Sequence, residues 1–297
     1  KAVVTTSACS GEMYLYGAHV TGFQPTGHRP VLFMSGSSAF QQGKAIRGGV
    51  PVCFPWFGPH ATDKSAPSHG PARITLWELT GVEHQGDTVT LMLSATFEPY
   101  AVDYRVTFGQ ALEMVMAVRN TSDSQATFEA ALHTYLSVGD VRQVQIAGLS
   151  GVAYLDKVDG QERKRQPDEP ITFTQETDRV YVDTDSACVL TDPVIGRRIT
   201  IDKTGSQSTV VWNPWVDKSA AMGDFGGMAG HGVHRNRQRR AQRGCACARC
   251  YARDERNDIG GPAIERFYLI VVCYLFLISE SLADPSLNGK PAHDTYG

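Results

Sequence analysis

Short apolar runs separated by Gly, Pro, Asp and Asn dominate roughly the first 215 residues, and they limit the fold more than any other feature. The runs are rich in β-branched and aromatic residues, and long helical periodicity is absent. The pattern predicts strands at residues 13–20, 88–94, 104–108, 112–118, 180–182, 198–201 and 208–212. Repeated strands without helices between them favour an all-β fold, a large antiparallel β-sandwich, over any βαβ arrangement.

Length and charge set the broad class of the protein. A chain of 297 residues with 42% hydrophobic content is long enough for one large core, and all-β domains of this size are often single. The formal net charge is -3, which provides no whole-chain attraction for nucleic acid or an anionic membrane. We therefore expect one globular domain with no nucleic-acid partner and no membrane partner.

The cysteines indicate the redox compartment. Cys9, Cys53 and Cys188 are scattered through a chain in which no secretory leader is visible. Thiols in a reducing compartment are the simpler interpretation, so we expect a cytoplasmic protein.

The first chemically distinctive cluster, residues 43–58, surrounds Arg47 with glycines and aromatic residues. Gly48 and Gly49 permit a tight backbone beside the arginine, and the aromatic residues near Pro55 can form a wall against the apolar face of a sugar. The alternative is that Arg47 is only a surface charge next to a turn.

Two further clusters contain histidines. His69 and Arg73 lie four residues apart around a Gly-Pro bend, and an arginine fork suits phosphate oxygens. His133 interrupts the apolar run 130–136, where an imidazole facing a cleft can act as a general acid. For both histidines, a purely structural role is the alternative.

The fourth cluster is a charged turn at residues 176–181 that leads into a predicted strand. Asp178 in this turn can accept hydrogen bonds from sugar hydroxyl groups. The alternative is a surface ion pair between Asp178 and Arg179, which would contribute little free energy.

These four clusters, followed by Trp-Asn-Pro-Trp at 212–215 and Asp-Phe-Gly at 224–226, resemble the D-hexose-6-phosphate mutarotases of the aldose 1-epimerase superfamily. The resemblance runs from about residue 11 to residue 226, and it is specific because separated motifs occur in the family's order. It implies a galactose mutarotase-like β-sandwich. It also implies interconversion of the α and β anomers of hexose 6-phosphates such as glucose 6-phosphate.

The resemblance also implies roles for individual residues. His133 would protonate the ring oxygen, Asp178 would hold hydroxyl groups, and His69 would line the site and polarise the sugar. Arg47 and Arg73 would bind the 6-phosphate. No cofactor and no metal are implied, the partner is a small sugar phosphate, and we expect a monomer.

The sequence departs from the family in two respects. Pro71 stands where the family usually has an aromatic residue, so stacking on the sugar is expected to be altered. The family's base is a Glu within a Cys-hydrophobic-Glu-Thr pattern, and no such pattern follows Gly226. A sugar-phosphate-binding protein that lacks the base, and is catalytically impaired, is therefore the alternative function.

The composition changes abruptly at residue 226, beyond which Arg becomes frequent and strand patterning stops. Met228 and Ala229 require the codons ATG GCN, which read one base later begin with TGG, the codon for the Trp that the family has here. We expect residues 1–226 to form a mutarotase-like domain that is incomplete at its C-terminal end. Residues 227–297 are expected to be an out-of-frame tail without a domain, produced by a single-base slip near Gly226.

The tail contains two motifs that resemble functional sites, but the frame-slip hypothesis accounts for both of them without assigning a function. Cys245, Cys247 and Cys250 have a spacing found in zinc sites, and the Arg-rich stretch 234–243 has the composition of an RNA-binding arm. A GC-rich gene read out of frame yields the same residues. The tail is expected to be poorly packed and to leave edges of the sheet unpaired.

Overall fold

The computed structural model describes residues 1–225 and, for the backbone alone, residues 245–252 and 276–279. Its strands are β1 Ala2–Thr5, β2 Cys9–Tyr14, β3 His19–Pro25, β4 Val52–Cys53, β5 Glu78–Gln85, β6 Thr88–Phe97, β7 Tyr100–Phe108, β8 Ala111–Asn120, β9 Ala131–Leu132, β10 Tyr135–Val138, β11 Gln145–Ala147, β12 Ala153–Asp156, β13 Glu162–Arg165, β14 Thr177–Val182, β15 Cys188–Asp192, β16 Arg197–Thr204, β17 Ser208–Asn213, β18 Cys245–Ala252 and β19 Phe276–Ser279. The α-helix α1 covers Trp215–Ala221, and 3-10 turns cover Ala72–Ile74 and Val141–Gln143. The predicted all-β class is confirmed.

The largest sheet has eight strands in the order β11-β15-β16-β18-β8-β7-β6-β5. Successive antiparallel hairpins join β5, β6, β7 and β8, and Phe108 pairs with Leu112 across the short turn between β7 and β8. Alternate residues of β7 are buried, while Asp103 and Arg105 between them are exposed. One face of the sheet therefore covers the core, as the period-2 pattern predicted.

A single buried cluster joins the sheets into a sandwich. It includes Met13 from the sheet β1-β2-β3, Tyr104 from the eight-stranded sheet, and Tyr181 from the sheet β13-β12-β14-β17. Each of these three side chains is fully buried, and burial of such large apolar groups is the main stabilising contribution to a fold of this kind.

Residues 13–20 do not form one strand, contrary to the sequence-based prediction. β2 ends at Tyr14 and β3 begins at His19, with a turn between them. Gly17 has φ +75° and Ala18 has φ +45°, so the backbone reverses inside the apolar run. Gly17 marked this turn in the sequence.

Two strands fall in the segment beyond residue 226, where none was predicted. β18 lies between β8 and β16 and is parallel to both, and β19 is parallel to β10. The expectation of unpaired edges is therefore wrong at β8 and β16. The frame-slip hypothesis concerns residues 226–244, 253–275 and 280–297 as well, and these lie outside the described residues. No helix within the described residues is long and apolar enough to cross a membrane.

Candidate active site

A cavity of about 360 Å³ contains all five residues that the sequence singled out. The five are Arg47, His69, Arg73, His133 and Asp178. They come from distant parts of the chain: Asp178 lies on β14, His133 lies between β9 and β10, and the other three lie in the loops around β4. The fold therefore brings four separate sequence clusters to one place.

Arg47 is held from two sides. Its Nε and Nη2 atoms donate to Oδ2 of Asp224 at 3.1 and 3.0 Å, and Nη1 donates to the hydroxyl of Tyr135 at 2.9 Å. The side chain is only 21% exposed, so Arg47 is not the surface charge of the alternative interpretation. A guanidinium group has five N–H bonds, which leaves two of them for a ligand.

Arg73 differs from Arg47 because it has no carboxylate partner in the described part of the chain. It lies in the 3-10 turn, and its Nη2 donates to the main-chain oxygen of Ser68 at 2.6 Å. Burial lowers the pKa of Arg73, and the charge of Arg47 adds to this effect. Two guanidinium groups that line one cavity, one of them without an acidic partner among the described residues, are chemically suited to bind an anion.

His69 is fixed as a hydrogen-bond donor toward the cavity. The main-chain N–H of Gly58 donates to its Nδ1 at 3.1 Å, and its own main-chain N–H donates to the oxygen of Gly58 at 2.7 Å. Burial, followed by the charges of Arg73 and Lys157, lowers the pKa of His69 to about 3. The ring is therefore neutral and, because Nδ1 accepts, the proton lies on Nε2.

His133 is nearly fully buried among aromatic rings. Its ring stacks on Tyr135 with a centroid distance of 4.7 Å and an angle of 12°, and it meets Trp212 edge-on at 6.0 Å. The ring of His69 lies 5.9 Å away. Burial holds the pKa of His133 well below 6.5, and His69 and Arg47 lower it further. His133 is thus neutral in the free protein.

Asp178 directs a carboxylate into the cavity. Its Oδ1 atom is buried and has no hydrogen-bond partner among the described residues, and burial raises the pKa of this carboxyl group. The alternative ion pair with Arg179 is not formed, because the guanidinium of Arg179 lies 5.0 Å above the ring of Tyr154 instead. Asp178 therefore has a free acceptor for a ligand hydroxyl.

Sequence reasoning missed several residues of the cavity wall. Lys157 lies 4.9 Å above the ring of Phe57, and Lys218 lies 5.9 Å above the ring of Trp212. Trp212 belongs to the quoted Trp-Asn-Pro-Trp motif, but neither lysine stood out from ordinary surface lysines. Among the described residues that line the cavity, four cations (Arg47, Arg73, Lys157 and Lys218) face one carboxylate, that of Asp178. Arg47 and Lys218 are ion-paired with Asp224 and Glu176, which do not line the cavity, so its excess of positive charge rests on Arg73 and Lys157.

The described residues contain no group of three or more His, Cys, Asp or Glu that could hold a metal ion. Cys9, Cys53 and Cys188 are buried and are not joined to one another by disulfide bonds. The cavity can bind an anion, donate a hydrogen bond from His69 or His133, and accept one at Asp178. These capacities are those of an acid/base site for a polar anionic substrate.

Comparison with known proteins yields one family. The model of the aldose 1-epimerase family matches residues 2–242. A protein from Escherichia coli (strain K12) named "Putative glucose-6-phosphate 1-epimerase" is 36% identical over 222 residues, which are 71% of this chain and 73% of the relative. A protein of the same name from Cenchrus ciliaris is 33% identical over 236 residues, which are 73% of this chain and 71% of the relative. Among solved structures, the "putative mutarotase (YeaD)" from Salmonella typhimurium has a TM-score of 0.70 and 32% identity, covering 75% of this chain and 76% of that one.

Proposed function

The chain belongs to the aldose 1-epimerase family, and from that premise we propose that it interconverts the α and β anomers of a hexose 6-phosphate. The observation that carries the phosphate is that two cations of the cavity wall, Arg73 and Lys157, have no ion-pair partner among the described residues, whereas Arg47 and Lys218 are paired with Asp224 and Glu176. A neutral sugar needs no such excess of positive charge, whereas a phosphate dianion does. The relatives from Escherichia coli and Cenchrus ciliaris are named as glucose-6-phosphate 1-epimerases, which supports the same substrate class.

The reaction requires two proton movements. A proton leaves the anomeric hydroxyl while another reaches the ring oxygen, the ring opens to the aldehyde, and closure on the other face produces the other anomer. We assign the proton delivered to the ring oxygen to His133. Asp178 accepts from sugar hydroxyl groups through its free Oδ1, and His69 donates from Nε2 to a sugar oxygen.

The phosphate is assigned mainly to Arg73, with Arg47 as its neighbour. Arg73 has no carboxylate partner in the described chain, so its charge is not compensated when the cavity is empty. Arg47 is partly neutralised by Asp224 and contributes its two remaining N–H bonds. Bidentate binding by an arginine fork matches the geometry of phosphate oxygens.

The base is the part of the mechanism that separates two candidate functions. No glutamate lines the cavity in the part of the chain that the structure describes. This observation favours, as a second candidate, a sugar-phosphate-binding protein that lacks the catalytic base. Both candidates predict binding of glucose 6-phosphate, and only the first predicts faster exchange of its anomers.

The substrate assignment is tested by calorimetry with Arg73→Gln. We expect the dissociation constant for glucose 6-phosphate to rise on the order of 10- to 100-fold, because hydrogen bonds to a charged group are lost. The constant for glucose should change less than about twofold. Arg119→Gln, an exposed arginine of β8 outside the cavity, is the matched control and should alter neither constant. Equal effects of Arg73→Gln on both sugars would remove the phosphate assignment.

The choice between the two candidates is made by exchange NMR spectroscopy of glucose 6-phosphate. Faster exchange in the presence of the protein, reduced by roughly 10²–10⁴-fold in His133→Asn, is the result expected of a mutarotase. Binding without any acceleration identifies the binding protein.

A further inference from the structure

Tyr135 contacts both His133, the proposed proton donor, and Arg47, one of the proposed phosphate ligands. It begins β10, two residues after His133, which lies in the short connection between β9 and β10. The side chain is buried, with 1% exposure, so its contacts are with protein and not with solvent. One face of its ring lies flat against the imidazole of His133 at 4.7 Å.

The hydroxyl end of Tyr135 contacts Arg47. Its hydroxyl oxygen accepts from Nη1 of Arg47 at 2.9 Å. One side chain therefore sets the plane of the histidine with its ring and the position of a guanidinium with its hydroxyl. Because the two rings are stacked, the nitrogens of the imidazole lie at the edge of its ring and not against a hydrogen-bonding group of the tyrosine ring.

The backbone holds this arrangement from one segment. The N–H of Tyr135 donates to the oxygen of Gly49 at 2.9 Å, and the N–H of His133 donates to the oxygen of Pro51 at 2.9 Å. Arg47 lies two residues before Gly49 in the same segment. Arg47, His133 and Tyr135 therefore lie on two adjacent segments that are joined by main-chain hydrogen bonds.

We infer that Tyr135 is a positioning residue that holds both Arg47, which is proposed to bind the phosphate, and His133, the proposed proton donor. This inference rests on the function proposed above. The hydroxyl serves recognition of the phosphate, and the ring serves the orientation of the acid. The two roles reside in different atoms, so they can be removed separately.

Tyr135→Phe removes the hydroxyl and keeps the ring. We expect the dissociation constant for glucose 6-phosphate, measured by calorimetry on the full chain, to rise about five- to twentyfold because Arg47 loses one of its two anchors. The constant for glucose and the NMR signals of the His133 ring should stay as in the wild type. Tyr135→Leu should show the same loss for glucose 6-phosphate and, in addition, displaced His133 signals because the stacked ring is gone.

Tyr181→Phe is the matched control, because Tyr181 is also fully buried and its hydroxyl donates to Gln166 at 2.7 Å, outside the cavity wall. It should change neither constant by more than about twofold. If the wild type binds glucose 6-phosphate but Tyr135→Phe binds it equally well, the positioning role of the Tyr135 hydroxyl is wrong and the proposed function stands. If the wild type itself does not bind glucose 6-phosphate, the proposed function and this inference both fall.

Discussion

At the scale of the single residue, the proposed binding of a phosphate predicts a change in the pKa of His133. Burial, His69 and Arg47 keep its pKa well below 6.5 in the empty cavity. A phosphate dianion beside Arg47 and Arg73 compensates their charge and adds negative charge, which favours the imidazolium form. The pKa of His133 should therefore rise when an anion binds, so that a phosphorylated substrate supports its own protonation.

This prediction is measured by NMR titration of the histidine signals in the free protein and with saturating inorganic phosphate. The His133 midpoint is expected to move to higher pH with phosphate, and the signal of His84, exposed on β5, serves as an internal reference. An unchanged His133 midpoint while calorimetry shows bound phosphate would contradict the electrostatic coupling.

The sequence revealed those site residues that were chemically unusual in their local surroundings. A histidine inside an apolar run and an arginine beside paired glycines stand out without a structure. Lys157 and Lys218 do not, because a lysine in a loop or short helix looks like any solvated lysine. The partnership of Arg47 with Asp224 joins residues 177 positions apart, and no local pattern reports such a contact.

At the scale of the element, Gly49 determines how the segment before β4 approaches β3. Its φ is +60°, and a Cβ atom there would lie 2.2 Å from the main-chain oxygen of Val20. Gly49→Ala should therefore cost about 2–4 kcal/mol in the free energy of unfolding, since both the backbone conformation and the close approach are lost. Urea unfolding measures this value.

Gly86→Ala separates the cost of the left-handed backbone conformation from the cost of the close approach. Gly86, in the turn between β5 and β6, has φ +57° and open space where a Cβ would lie. The Gly86→Ala variant should lose only about 1 kcal/mol in the free energy of unfolding, which is the cost of the left-handed conformation. Equal losses at the two positions would show that the close approach at Gly49 contributes nothing.

Element prediction succeeded where the side-chain pattern alone decides the structure. The alternation in β6, β7 and β8 was visible because each of these strands has one buried face and long hairpin pairing. It failed for α1, whose seven residues are too few to show a helical period. It also failed for β18, because that strand is defined by its neighbours on both sides, and such pairing leaves no signature in the strand itself.

At the scale of the whole molecule, buried neutral histidines make stability depend on pH. His19 is fully buried, and burial lowers its pKa to about 4, while that of His133 is also lowered. The unfolded chain takes up protons near pH 6.5 and the folded chain does not, so this stabilisation is complete above about pH 6.5 and is lost as the pH falls. His19 alone should cost about 2 kcal/mol between roughly pH 6.5 and 5.

Urea unfolding at several pH values between about 7.5 and 5 measures this slope. His19→Gln should make the dependence of the free energy of unfolding on pH shallower, because the contribution of His19 is removed. This holds whatever effect the substitution has on stability at neutral pH. The lowered carboxyl pKa values of Glu12 and Asp140 act at lower pH and do not mask the change. A His19→Gln slope equal to that of the wild type would contradict the assignment.

The wall of the cavity extends along the chain from Arg47 to Met222, and this span has a consequence during synthesis. Translation proceeds at about 5–20 residues per second, so roughly ten seconds or more separate the appearance of the first and the last wall residue. Throughout that interval the nascent chain presents Arg47 and Arg73 without the helix that carries Lys218. A ligand that needs the complete wall therefore cannot stabilise the nascent chain before Met222 has been synthesised.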